Sequence, residues 1–359
     1  MKFKNIFYKK KVVITGHTGF KGSWLTLWLN LLGAKVYGIS NRVLTKPSLY
    51  EVINLKKDIQ QKFFDLKDVQ KTKEYLKKIK PDFVFHLAAQ AIVKKSYSDP
   101  YKTWQSNLNG TLSILESLKV LNKKKCIAII ITSDKVYKNI ETEKGYKEND
   151  ILGGIDPYSA SKGATEFLIN SYIQSIYPKK GKLRLSIARA GNVIGGGDWS
   201  EGRLVPDCIR AWSKRKKVKI RNANSTRPWQ HVLEVIWGYI RLAVKLQDSY
   251  KFHGEAYNFG PKANSKQTVL QLLNVIKKGL VNFSWSQKRN KFLKESKLLK
   301  LNSRKAKKDL KWECKLNFRD TVGLMLEWYK NFYIGNKNMK KFSLNQIKYY
   351  SNILKINYK

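Results

Sequence analysis

The chain has 359 residues, of which 71 are Lys or Arg and 26 Asp or Glu, a formal net charge of +45. At roughly 100–200 residues per domain this length suits two domains or one large one, and 42% hydrophobic with 12% aromatic residues excludes disorder for most of it. No apolar run approaches the ~18 residues of a membrane span, and the basic N-terminus lacks the apolar core of a signal peptide, so a cytoplasmic protein is expected.

The first half alternates strand and helix signals. Residues 11–15 (KVVIT) read as a buried strand, and 21–32 as a helix with Trp24, Leu25, Trp28, Leu29 and Leu32 on its core face. A second strand is expected over 35–39, a third near Phe63, a Lys-rich helix over about 68–80 and a strand over 82–87. A long helix over 100–121, the most apolar strand over 126–132, a helix over 157–175 and a strand over 184–188 follow. Strands with continuous apolar runs, separated by helices, specify an α/β fold: a Rossmann-like, doubly wound parallel sheet covered on both faces. It is expected to fill residues 1–190. After about Gly191 the alternation stops, and 191–335 reads as a smaller substrate-binding domain. Its helix over 232–246 is apolar enough to pack back on the first domain. Residues 286–311 are dense in Lys and read as exposed, and 336–359 as a tail, either an amphipathic helix or mobile.

Of the basic residues only 12 are Arg and 59 are Lys, spread along the whole chain. Specific nucleic-acid binders concentrate Arg and Lys on one stripe, so no specific nucleic-acid partner is expected; a non-catalytic dinucleotide-sensing or polyanion-binding protein stands as the rival from another class. Three scattered cysteines, Cys126, Cys208 and Cys314, form no CxxC pair and point to a reducing compartment. Four histidines without ligand spacing make a metal site unexpected.

Thr15-Gly-His-Thr-Gly-Phe-Lys-Gly22 places glycines at 16, 19 and 22 between the first strand and its helix. Glycine lets backbone approach a pyrophosphate, and the helix N-terminus offers oriented N–H groups. Gly16, His17, Thr18, Gly19, Phe20 and Lys21 are therefore candidate dinucleotide contacts, with the His17 ring expected to pack or bond to backbone. A phosphate-loop NTPase requires Ser or Thr after the Lys, and here Gly22 follows Lys21. The second strand ends Ser40-Asn41-Arg42 with no carboxylate for an adenosine ribose. Arg42 suits a 2′-phosphate, which would favour NADP, or is a solvated loop residue, so NAD and NADP both stay open on these residues. Asp65 and Leu66 are candidates for the adenine side, or an ordinary helix cap.

Tyr158 and Lys162 stand four residues apart on a predicted helix and share a face. A neighbouring ammonium favours phenolate, which lets Tyr158 serve as a base below its ordinary pKa of ~10. Arg189, Arg203, Arg221 and Arg227 all suit a diphosphate, with Arg203 and Arg227 favoured beside Gly- and Pro-rich turns. Tyr257 reads as a strand end lining the cleft, and His86 as a satisfied core histidine.

Together the glycine loop, Leu87-Ala88-Ala89-Gln90, Asn107, Ser133 and the Tyr158/Lys162 pair resemble the extended short-chain dehydrogenase/reductase family over residues 10–330. Within it, Ser133-Asp134-Lys135, Gly191-Asn192 through Trp199, and Arg227 through His231 are similar to the nucleotide-sugar 4,6-dehydratases that take CDP-glucose; the dTDP type has Asp-Glu where this chain has Asp134-Lys135. The resemblance implies that Asn107, Thr132, Tyr158 and Lys162 surround a nicotinamide and that Asn192 and the Arg227 segment contact the nucleotide sugar. It further implies oxidation at carbon 4, loss of water across carbons 5 and 6, and return of the hydride. Ser133 would bond the carbon 4 oxygen, Lys135 act as base with a lowered pKa and Asp134 as acid with a raised one, or with those two roles exchanged. The nearer rival is another nucleotide-sugar enzyme of the same fold, a 4-epimerase, which needs neither Asp134 nor Lys135, or a dehydratase for a different nucleotide. A homo-oligomer, dimer or tetramer, is also expected.

Overall fold

The computed structural model describes residues 4–121, 124–177, 181–262, 266–287, 298–335 and 338–356. Seven parallel strands form its main sheet: β1 (Lys11–Thr15), β2 (Lys35–Ser40), β3 (Gln60–Phe63), β4 (Phe83–His86), β5 (Cys126–Ile131), β6 (Leu183–Ala190) and β7 (Ala256–Phe259). Their spatial order is β7-β6-β5-β4-β1-β2-β3. The chain runs outward from β1 to β3, then returns to lay β4 on the other side of β1. That reversal leaves a crevice between the carboxyl ends of β1 and β4, where ligands bind in open α/β sheets.

Alternation along each strand feeds two cores. Val12, Ile14, Phe83, Phe85, Ile127 and Ile129 point to one face, and Val13, Val84, Ala128 and Ile130 to the other. The second face is covered by α2 (Val69–Ile79), α3 (Gly110–Leu118) and α4 (Pro157–Ser175) through Leu76, Ile114, Leu115, Ile169 and Ile173. The first face is covered by α1 (Phe20–Leu31) and α5 (Val232–Asp248), with Trp28 and Trp237 stacked at 6.1 Å. The expected return of α5 to the sheet is thus observed.

The expected helix over 100–121 is interrupted. Its middle, Gln105–Asn109, widens into a π turn, where Asn107 turns its side chain to Gln90 and Ser161 while its carbonyl accepts from the Thr111 and Thr165 hydroxyls. Such widenings concentrate at functional sites.

Beyond residue 190, apart from β7, the strands among the described residues form short pairs: Val193–Ile194 with Gln230–His231, Thr226–Arg227 with Gln267–Thr268, and Val218–Ile220 with Trp285–Gln287. Helices α6 (Phe318–Tyr333) and α7 (Met339–Ile353) close that side. The tail is therefore a docked helix, held by Tyr350, whose ring meets Trp28 edge-on and whose hydroxyl donates to Glu234. Of the Lys-rich stretch expected to be exposed, 288–297 lie outside the described residues, while Leu299 and Leu301 are buried against Val136, Tyr137 and Tyr146. Their apolar side chains override the surrounding charge.

Candidate active site

Gly16 follows β1 with φ +73°, and a Cβ there would lie 2.9 Å from the Ala88 backbone at the end of β4. A Cβ on Gly22 would lie 2.1 Å from the Gly16 carbonyl oxygen. Only glycine permits these approaches. Gly19 caps α1 without any side-chain hydrogen bond, so no side chain satisfies the first-turn N–H groups there. The Thr18 hydroxyl donates to the Arg42 carbonyl oxygen at 2.9 Å and ties the loop to the end of β2. The result is a backbone cradle with a helix N-terminus aimed at the β1/β4 crevice, which fits a dinucleotide pyrophosphate.

The second part of the site stands at the end of β5. Ser133 caps a 3-10 turn, Asp134–Val136, by accepting from the Lys135 N–H at 3.2 Å, and its hydroxyl donates to Asp134 Oδ1 at 2.9 Å. Asp134 is buried against Gly191 so closely that a Cβ at 191 would fall 1.8 Å from its Oδ2. Facing this turn, Asp156 caps α4 by accepting from the Tyr158 and Ser159 N–H groups, both at 3.0 Å, and Pro157 occupies the first turn. The cap fixes the register that puts Tyr158 and Lys162 on the face toward Ser133. Ser133 stands near enough to the Tyr158 phenol to favour its ionised form.

Below them lies a buried ion pair. Arg189 of β6 bonds Glu166 of α4 through Nε at 2.9 and 3.0 Å, and also reaches the Tyr137 hydroxyl and the Glu148 carbonyl. The Thr132 hydroxyl donates to Glu166 at 2.6 Å. Removing one partner of such a pair typically costs about 3–5 kcal/mol, so this network locks β5, β6 and α4 in register beneath the site.

Burial dominates the electrostatics. It pushes the Tyr158 phenol up to about 12, opposed by Ser133 and Arg203 and reinforced by Asp134. It brings the Lys162 ammonium down to about 8, against the attraction of Glu166. It also brings Lys21 down to about 7, helped by Arg203 and Lys162 and opposed by Asp134 and Asp198. Lys162 is not among the charges that set the Tyr158 phenol here; burial, which raises it, is the largest influence.

On the far wall, Gly195 packs against Val232 and Phe20, Gly196 against α6 and Gly197 against Leu49. A Cβ on Gly196 would lie 2.0 Å from Trp328, and the Trp24 indole donates to the Gly196 carbonyl at 3.0 Å. This holds Asp198, whose backbone both donates to and accepts from the Tyr329 hydroxyl. Asp198 Oδ2 pairs with Arg203 at 3.0 Å.

A family model described as GDP-mannose 4,6 dehydratase matches residues 13–325. The chain belongs to that family. It is 40% identical over 333 residues to the CDP-glucose 4,6-dehydratase of Salmonella typhimurium, covering 91% of this chain and 92% of that protein. It is 24% identical over 347 residues to the UDP-glucose 4-epimerase of Mycoplasma genitalium, covering 90% and 98%. Among solved structures, an epimerase of Methanothermobacter thermautotrophicus superposes with TM-score 0.80 at 23% identity, covering 94% and 96%. The dTDP-glucose 4,6-dehydratase of Bacillus anthracis, in complex with NAD, does so with TM-score 0.74 at 20%, covering 93% and 99%. As an NAD-dependent epimerase/dehydratase of the extended short-chain dehydrogenase/reductase type, the chain has the expected Rossmann-like fold.

In this extended short-chain dehydrogenase/reductase, the glycine loop, residues 87–90, Asn107, Ser133-Asp134-Lys135, Tyr158, Lys162 and Arg203 come together. Gln90 N–H donates to Asn107 Oδ1 at 2.8 Å, and Asn107 Nδ2 to Ser161 at 2.9 Å, linking the crevice to α4. Lys135 is half-buried at the mouth; Asn41, Arg42 and Asp65 are exposed at its β2–β3 end. The His17 ring packs over Gly38, as expected, and reaches Gln61 and Ser40 at 2.8 and 3.1 Å. Other expectations are corrected. Leu66 is buried in the second core, and the Thr132 hydroxyl is spent on Glu166. Tyr257 is a core residue, 1% exposed, donating to Asp309 at 3.1 Å. Arg189 serves the ion pair rather than a diphosphate. Asn192 sits at the loop turn with φ +47°, Arg221 is exposed after the Val218–Ile220 strand, and Arg227 lines a small cavity with Lys266 and Lys300. His86 is satisfied at both nitrogens, by Thr15 at 2.7 Å and Thr111 at 3.0 Å.

The residues that the sequence missed in this role are Asp198, Tyr239, Glu166 and Lys21 as a side chain. Only Asp198 carried a signal, its place in the Gly195–Trp199 motif; the others depend on which helix face meets the cleft.

Proposed function

We propose that the chain removes water from CDP-glucose to give CDP-4-keto-6-deoxyglucose, with NAD as its recycled cofactor. One observation carries this reading: a buried Asp134, adjacent in sequence to Lys135, faces the Tyr158/Lys162 pair. An epimerase needs only the latter. The 40% identity to a CDP-glucose dehydratase along nearly the whole chain supports the same substrate, and the glycine cradle at Gly16 and Gly22 fits a dinucleotide.

When bound, the nicotinamide supplies the hydride acceptor for carbon 4, the donor that later reduces carbon 6, and a positive charge that favours phenolate. Tyr158, beside Ser133, takes the proton of the carbon 4 hydroxyl, and Ser133 bonds the resulting carbonyl oxygen. The buried Lys162 ammonium stabilises the phenolate. The ketone acidifies carbon 5, and the Lys135 amine accepts that proton. Asp134 delivers a proton to the carbon 6 hydroxyl; the carbon–oxygen bond breaks, water leaves, and a carbon 5–carbon 6 double bond forms. After carbon 6 is reduced, the Lys135 ammonium returns its proton to carbon 5. General acid–base groups of this kind contribute about 10²–10⁴-fold each. Arg203 and Arg227 hold the diphosphate, and the Asn192 loop the sugar.

A homo-oligomer accompanies this reading, supported by Tyr97, Tyr101, Trp104 and Phe167, which stay exposed; light scattering of the purified protein tests it. No helix among the described residues is long and apolar enough to cross a membrane, and the three buried free cysteines suit the cytoplasm. Product formation from CDP-, dTDP-, GDP- and UDP-glucose, read by mass spectrometry, tests the substrate. Conversion of CDP-glucose by loss of one water is expected, and preference for another nucleotide overturns the cytidine assignment.

A further inference from the structure

Lys21 occupies an unusual position for a cation. It stands on the first turn of α1, where the backbone serves the dinucleotide, yet its side chain leaves that loop and crosses toward the substrate wall. Its ammonium lies 3.4 Å from the Tyr239 hydroxyl of α5 and 5.9 Å from that ring's centre. It feels Lys162 from α4, Asp134 from the turn after β5, and Asp198 and Arg203 from the glycine-rich wall. Tyr239 in turn feels Tyr158. Three cations therefore meet two carboxylates, and Arg203 is already held by Asp198.

We propose that Lys21 is a further substrate-binding residue, which presents a cation to the anionic diphosphate-sugar and takes up a proton as that anion enters the cleft. The inference rests on the nucleotide-sugar reading given above. Burial, with the help of two neighbouring cations, lowers Lys21 from an ordinary 10.5 to about 7. At pH 8 its amine is then largely neutral. An arriving diphosphate favours the charged form, so binding and proton uptake are linked, and substrate affinity falls as pH rises from 7 to 9 by up to about tenfold per unit. Lys162, lowered to about 8, contributes a share of its own, so the diagnostic quantity is the difference between wild type and variant.

Calorimetric titration of NAD-loaded enzyme with CDP, and with CDP-glucose, at pH 8 in buffers of different ionisation enthalpy reads the protons taken up. Wild type is expected to take up more than Lys21→Met by roughly half a proton or more. Lys21→Arg, which stays charged, is expected to bind tightly without that share and with a flatter pH profile. Equal uptake in wild type and Lys21→Met, or a pH profile unchanged in Lys21→Arg, overturns the inference while leaving the substrate assignment standing. Uptake that accompanies NAD binding to the empty enzyme instead places Lys21 on the cofactor's pyrophosphate and also overturns it. Failure of CDP and CDP-glucose to bind wild type at all overturns the nucleotide-sugar reading and this inference with it.

Discussion

Gly191→Ala separates the site's chemistry from its scaffold. The added Cβ would stand 1.8 Å from Asp134 Oδ2 and 2.1 Å from its Cγ. To regain an ordinary contact of 3.4 Å, that oxygen must retreat by about 1.6 Å. Asp134 is a short side chain able to rotate, and Gly191 does not need a left-handed backbone, so the fold absorbs the change at little cost. The reaction does not, because a misplacement of about 1 Å typically costs about 10²-fold. We expect kcat with CDP-glucose to fall about 10²-fold, while NAD binding and the thermal midpoint stay near wild type. Gly323→Ala is the matched control: its Cβ meets nothing within 4 Å on an exposed position of α6, so it should stabilise by about 0.5–1 kcal/mol and leave kcat unchanged. A Gly191→Ala enzyme with kcat within threefold of wild type refutes the placement of Asp134 at the reacting atoms.

Tyr158→Phe removes the base for the first step, and activity should fall by at least about 10²-fold; retention of a tenth of the wild-type rate speaks against that role. Lys135→Met should still oxidise carbon 4 but stall elimination, so single-turnover absorbance should show reduced cofactor persisting with the carbon 6 hydroxyl still attached; prompt product formation contradicts the assignment. His86 and His231 are lowered by burial to about 3. Both stay neutral in the folded chain while the unfolded chain protonates below 6.5, so their contribution is full above pH 6.5 and is lost as pH falls toward 3. Urea unfolding at pH 5.5 should therefore show about 1 kcal/mol less stability per histidine than at pH 8, and His86→Gln should remove one such share.

The sheet was legible because strands covered on both faces must be apolar throughout, as Cys126–Ile131 is. The glycine loop and the Tyr158/Lys162 pair were legible because their spacing is local. What lay beyond the sequence is set by distant packing. Tyr257 reads as a cleft residue at a strand end, but it stands second in β7, where Asp309 and Lys305 approach it from another element. The widening at Asn107 depends on Gln90 and Ser161, far away in sequence, and the fate of Thr132 on Glu166. Lys21 looked like one more loop contact because its reach to Tyr239 crosses 218 residues of sequence.

The central claim is that one site oxidises, dehydrates and reduces a nucleotide sugar with acid–base work by Asp134 and Lys135. Mass and nuclear magnetic resonance spectra of the product formed from CDP-glucose in heavy water test it most directly. The account predicts a sugar lighter by one water, deuterium at carbon 5, a keto group at carbon 4 and no net reduced nicotinamide. A 4-epimer of unchanged mass without solvent deuterium, or reduced nicotinamide accumulating in step with product, would contradict it.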